Sequence, residues 1–158
     1  MTKFGGFLQR KNIRPSAKLY FIDTMSSMAL GLFASLLIGT IFRTLGQYTG
    51  VALFTEIAGF ASKATGAALG VAIAYALKAP PLVLLSADVV GMIGNDLGTE
   101  IAREGAETLT VAAGPAGAFI VTVVAVELGK MVSKETHIDI LVTPVVTILS
   151  GALLAKLI

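Results

Sequence analysis

Thr24-Met-Ser-Ser-Met-Ala-Leu-Gly-Leu-Phe-Ala-Ser-Leu-Leu-Ile-Gly-Thr-Ile-Phe42 is an uncharged run of 19 residues. At about 1.5 Å of rise per residue, a helix of this length crosses the roughly 30 Å of hydrocarbon in a bilayer. Asp23 stands before the run and Arg43 closes it, so its nearest charges lie where the polar interfaces would be. This stretch sets the class of fold, an integral membrane protein, and the remaining segments are read outward from it.

The composition agrees. Of 158 residues, 55% are hydrophobic and 14% charged, and the mean hydropathy is +0.85. Soluble domains are about 45–50% apolar and about 25% charged. The excess is too large for one buried core in so short a chain, and it excludes a disordered chain, a nucleic-acid-binding domain and most soluble enzymes. The absence of cysteine removes any disulfide, thiol nucleophile or cysteine metal site. A single histidine excludes a His-cluster metal centre. Gly91, Gly94 and Gly98 do not form a dinucleotide-binding turn, and no phosphate-binding loop or Ser-His-Asp arrangement is present. No cofactor, metal or catalytic residue is expected.

Residues 1–19 carry Lys3, Arg10, Lys11, Arg14 and Lys18 without an acid, interleaved with Phe4, Phe7, Leu8 and Ile13. They read as a basic cytoplasmic tail or as an interfacial amphipathic helix, and either places the N-terminus in the cytoplasm. Residues 44–63 are ambiguous between a short span, a re-entrant segment and an interfacial helix. Residues 64–86 are apolar but broken by Lys78-Ala-Pro-Pro81, which should end a helix near Tyr75 to Lys78 and restart it over Leu82–Ser86. Residues 87–107, with Asp88, Asp96, Glu100, Glu104 and Glu107 against Arg103, read as a polar stretch with a short surface helix. Segments 108–132 and 138–158 complete the set, giving three to five crossings. The fold expected over residues 20–158 is an all-α polytopic membrane protein, a helix bundle with broken or re-entrant helices.

In lipid, helices associate through small residues that let backbones approach. Ser27, Gly31, Ser35 and Gly39 recur every four residues, as do Gly66, Gly70 and Ala74, and then Thr143, Thr147, Gly151 and Ala155. Residues four apart share one ridge of a helix, so these are expected packing ridges. Each leads to an ionisable residue: Asp23, Lys78 and Asp139.

Ionisable groups inside a membrane are costly and therefore candidate functional groups. Lys78, beside Pro80 and Pro81, reads as a cation deep in an apolar segment that should face a cavity or an acid, with Glu127 or Asp88 as its partner. Glu127-Leu-Gly-Lys-Met-Val-Ser-Lys-Glu-Thr-His-Ile-Asp139 gathers Glu127, Glu135, His137 and Asp139. Carboxylate oxygens accept hydrogen bonds from sugar hydroxyls, which makes these residues candidate ligand groups, while a charged connector between two helices is the plainer reading.

Three stretches in order, Ile22 to Ile41, Lys78-Ala-Pro-Pro-Leu-Val-Leu84 and Glu127 to Pro144, resemble the EIIC-like membrane proteins of the bacterial phosphotransferase system, a group that includes the PfoR-type toxin regulators. The resemblance departs over 91–112, where this chain is unusually acidic. It implies a multi-pass component of the bacterial plasma (inner) membrane, a homodimer, that binds and translocates a sugar phosphorylated by phosphocarrier partner proteins. The alternative it carries is a membrane-bound regulator or sensor without transport. Family members are longer, so the chain fits a complete component or the N-terminal half of a longer permease. Phosphoryl-carrying domains use Cys or His, and the connector around His137 does not resemble one, so the resemblance implies the membrane part alone.

Overall fold

A computed structural model of the chain describes residues 3–11, 13–105, 113–134 and 137–157, without the side chains of 97–105. The helices follow the punctuation of the sequence. After α1 (Lys3–Arg10), the uncharged run lies inside one continuous rod, Lys18–Thr49. In it α2 (Thr24–Leu32) and α3 (Ile38–Thr49) are joined and preceded by two π-helical stretches, Phe33–Leu37 and Lys18–Asp23. The rod stops at Gly50, whose φ of 71° is open to a residue without a Cβ. The chain then returns as α4 (Ala52–Lys63) and α5 (Thr65–Ala76), bent 49° at their junction. The ambiguous stretch 44–63 is thus the end of the first rod and the start of the second leg.

α6 (Pro81–Gly105) runs for 25 residues, so the expected separation into a restart at Leu82–Ser86 and a distinct short surface helix does not occur. The acids suggested a surface, but Ala, Leu, Glu and Arg are good helix formers and carry the helix through them. α7 (Gly114–Val132) has Pro115 in its first turn, where the missing N–H costs nothing. α8 (Asp139–Leu157) contains Pro144 and completes the bundle.

The described helices form five antiparallel legs: the Lys18–Thr49 rod, the bent α4–α5 pair, α6, α7 and α8. Three of them, Lys18–Thr49, Gly114–Val132 and Asp139–Leu157, are long and apolar enough to cross a membrane, and the bent pair is a fourth if taken as one span. α6 is central. Val83, Ala87 and Val90 are fully buried, and it packs on α5, α7 and α8.

Small residues set these contacts. Gly31 lies against Ala68 and Ala72, Gly39 against Ala58 and Ala61, and Gly46 against Thr55, which fixes the first hairpin in register. Gly31, Ser35 and Gly39 are buried while Ser27 is half-buried, and Gly66, Gly70 and Ala74 are buried. On α8 the buried residues are Thr143, Thr147, Gly151 and Ala155. The closest approach is between α5 and α6, where a Cβ on Gly70 would lie 1.9 Å from the Ala87 carbonyl oxygen and one on Gly91 would lie 2.2 Å from that of Gly66. Gly91 and Gly94, which make no nucleotide motif, serve this packing, Gly94 against Gly117 of α7. Several buried hydroxyls donate back to their own helices, Ser35 to Gly31 O and Thr147 to Thr143 O, both at 2.7 Å. They are thereby satisfied without solvent.

Gly70→Ala must push α5 and α6 apart, because the atom it meets is backbone and cannot rotate away. It should cost about 1–3 kcal/mol, seen as a lower unfolding midpoint in detergent. Gly59→Ala, where nothing lies within 4 Å, should be neutral or gain up to about 1 kcal/mol from helix propensity.

Candidate functional site

The site grows from two missing amides. In an unbroken helix the carbonyls of Ala76 and Leu77 would accept from residues 80 and 81, but both are proline and carry no N–H. α5 therefore closes with a reversed turn. Lys78 N–H donates to Tyr75 O and Ala79 N–H to Ala74 O, both at 3.0 Å, with Lys78 left-handed at φ 54°. This is the Schellman arrangement, with lysine where glycine is usual. The Leu77 carbonyl is met from another helix, as Lys130 Nζ of α7 donates to it at 2.9 Å. A cation at a helix C-terminus also complements the helix dipole.

Lys130 is 1% exposed. Its second partner is Glu127, one turn earlier on α7, with Nζ 3.1 Å from Oε1. The other carboxylate oxygen, Glu127 Oε2, is buried and has no hydrogen-bond partner among the described residues. The break, the buried lysine and the half-satisfied carboxylate form one unit spanning α5, α6 and α7.

This unit lies at the end of the bundle where α5 and α7 stop and α6 and α8 begin. The N-terminal segment folds onto the same end: Ile13 is buried, and Lys11 Nζ donates to the Ser133 carbonyl. Arg10 and Lys11 lie over the Phe7 ring at 5.5 and 5.9 Å. A cavity of about 490 Å³ opens here, lined by Arg10, Lys11, Lys78, Pro80, Lys130, Ser133 and Lys134. A second, of about 480 Å³, opens on the α2 side of the break and is lined in part by Asp23, Ser27, Tyr75 and Lys78.

Of the residues singled out by sequence, Lys78 and Pro80 line the first cavity. Lys78 is exposed instead of deep in an apolar segment, because the break brings it to the end of the bundle. Neither Glu127 nor Asp88 pairs with it. Glu127 belongs to Lys130, and Asp88 accepts from the Val89 amide. Pro81 is exposed at the first position of α6, and His137 is exposed in the connector. Asp139 Oδ1 accepts from Thr143 Oγ1 and from the Lys134 amide, tying the connector to α8. Glu135 lies outside the described residues.

Lys130, Lys11, Arg10 and Lys134 were not among the sequence candidates. The available signal was Lys130 at i+3 from Glu127, an ion-pair spacing inside an apolar helix.

A family model described as "Phosphotransferase system, EIIC" matches residues 22–158. The chain belongs to this EIIC family. No curated protein and no solved structure matches it significantly. The match begins at the Ile22-Asp23 pair and spans the break and the Glu127–Lys130 helix, so the unit described above lies wholly inside the EIIC region. Family and apolar helices together make the chain a membrane protein, with the role of permease component in a sugar phosphotransferase system.

Two stability effects follow for this EIIC chain. Lys130→Met strands both the Leu77 carbonyl and the Glu127 carboxylate, and it should cost about 3–5 kcal/mol in detergent unfolding. Adding Glu127→Gln should recover part of that loss. Lys78→Gly should raise stability by about 1 kcal/mol, because glycine takes the left-handed position without a Cβ clash.

Proposed function

We propose that the chain binds a sugar within the bundle and passes it across the bacterial plasma membrane, with phosphocarrier partners supplying the phosphate. The observation that carries this reading is Glu127. One oxygen is held by Lys130 at 3.1 Å, and the other is a buried acceptor with no partner among the described residues, beside a helix break. A buried acceptor without a donor is a standing cost of about 1–3 kcal/mol, which a ligand hydroxyl removes. Broken helices at such sites also provide backbone groups for a polar ligand.

The proposal places the N-terminal end in the cytoplasm. Arg10, Lys11, Arg14, Lys18, Lys78, Lys130 and Lys134 gather at that end, and Arg43 and Lys156 lie toward the other. This asymmetry has the sense of the positive-inside rule. The working unit is a homodimer, as the resemblance implies. The phosphoryl donor residue belongs to a partner, since the chain has no cysteine and its one histidine, His137, sits in an exposed connector.

Vesicles containing the chain, with phosphocarrier proteins and a panel of labelled sugars, test the reading. Sugar-dependent uptake is expected, and Glu127→Gln should lower it by about tenfold or more, since a hydrogen bond to a charged group contributes about 1.5–3 kcal/mol. Uptake unchanged by that variant removes Glu127 from the site. Sugar binding without uptake in the parent chain would instead identify a sensor.

A further inference from the structure

The first helix has less support from the bundle than a helix of its length needs. α1 has eight residues, and isolated helices shorter than about 12–15 residues are marginal in water. Gly5 and Gly6 weaken it further, because glycine loses the most backbone freedom on ordering. Packing does not make up the difference. None of its residues is buried, and among the described helices it packs extensively on none. It is tied down behind its C-terminal end, where Lys11 Nζ donates to the Ser133 carbonyl and Ile13 is buried. Its first turn lies ahead of these ties and carries Phe4, which is 61% exposed.

The side chains of α1 are sorted by face. Phe4, Phe7 and Leu8 stand three and four positions apart and share one side of the helix, with Gly6 and Gln9 on the other. Phe7 and Leu8 are half-buried, so the apolar face is covered toward the bundle and open at Phe4. Cations flank this face. Lys3, Arg14 and Lys18 are exposed, and residues 1–19 contain no acid. The tether is short as well. The first long apolar rod begins at Lys18, and residues 11–17 can span at most about 25 Å. Whatever covers Phe4 therefore lies near the point where the rod enters the bilayer, and the nearest apolar phase there is the bilayer itself.

We infer that α1 is an interfacial anchor for anionic lipid, with Phe4 set into the boundary between headgroups and acyl chains and Lys3, Arg14 and Lys18 on the headgroup phosphates. Amphipathic helices of this kind sink an apolar face roughly 5–10 Å into that boundary while their cations hold anionic headgroups. The bilayer then supplies the apolar contact that α1 lacks in the bundle, and the absence of acids means that nothing in residues 1–19 repels the surface. α1 precedes the residues matched by the family model. The anchor holds for either orientation of the chain and rests on neither the transport reading nor a bound sugar.

The test uses the full chain in vesicles. The chain has no tryptophan, so Phe4→Trp and Gln9→Trp each install a single fluorophore. Both positions are exposed, so neither variant disturbs a buried contact. The vesicles mix phosphatidylglycerol with phosphatidylcholine, both carrying brominated acyl chains that quench from inside the membrane, and acrylamide quenches from the water. With rising phosphatidylglycerol, the Phe4→Trp signal should become quenched by lipid and shielded from acrylamide, while Gln9→Trp stays open to acrylamide. Adding Lys3→Gln and Arg14→Gln to Phe4→Trp should weaken docking by about tenfold or more, read as a higher phosphatidylglycerol fraction at half-maximal quenching.

Equal access of acrylamide to both positions overturns the anchor. So does a Phe4→Trp signal shielded from acrylamide yet unquenched by lipid, which would place protein over that face. Full lipid quenching in phosphatidylcholine alone, or a half-point that the Lys3→Gln, Arg14→Gln pair leaves unmoved, removes the assignment to anionic lipid.

Discussion

The bundle depends on the requirement that a carbonyl left unpaired in a low-dielectric interior must find another donor. Pro80 and Pro81 withdraw two donors at once. The response is distributed over the fold. The reversed turn at Lys78 closes the last turn of α5, and Lys130 Nζ of α7 reaches the Leu77 carbonyl across the helix interface. That bond links residues 53 positions apart, so it requires α5, α6 and α7 to pack in register. The glycine contacts make this possible. With Gly66 and Gly70 against Gly91 and Ala87, α5 and α6 approach closely on either side of the break, and α7 lies near enough for a lysine side chain to reach it.

The same requirement explains why a charged pair is tolerated inside the bundle. An ammonium buried without partners is prohibitively costly. Lys130 has a carbonyl at a helix C-terminus and the Glu127 carboxylate as partners. Glu127 is left with one oxygen unsatisfied among the described residues. A purely structural pair would gain by satisfying that oxygen from a neighbouring hydroxyl, as Ser35 and Thr147 are satisfied within their own helices. That this oxygen is open among the described residues is the observation on which the proposed ligand role of Glu127 rests.

Much of the fold was legible because it rests on local signals. The uncharged length of Thr24–Phe42, the four-residue spacing of small side chains and the effect of adjacent prolines are properties of neighbouring residues. The break was therefore placed within a few positions, and α8 buries the ridge Thr143, Thr147, Gly151 and Ala155. α6 was misread because its acids outweighed its continuous helix propensity. The candidate site was less legible because burial of a charge is not local. Lys78 and Lys130 are both lysines in apolar surroundings, and only the packing of α7 beside the break makes one exposed and the other buried. Asp139 was read as a ligand group, yet its carboxylate holds the Lys134 amide and Thr143. That is a capping role visible only once the connector is folded.

These contacts divide the chain into a glycine-packed part and a basic part at one end of the bundle. The glycine-lined contacts at α5–α6 and α6–α7 admit no added methyl without moving backbone, so they act as fixed references. The cations Arg10, Lys11 and Lys134 come from the N-terminal segment and the end of α7 with its connector, outside those contacts, and converge on the cavity from the chain's margins. Lys130 belongs to both parts, bonded to the Leu77 carbonyl and the Glu127 carboxylate while lining the cavity. The closure of the broken helix and the wall of the cavity thus share one side chain, placed by the packing of α7 beside the break.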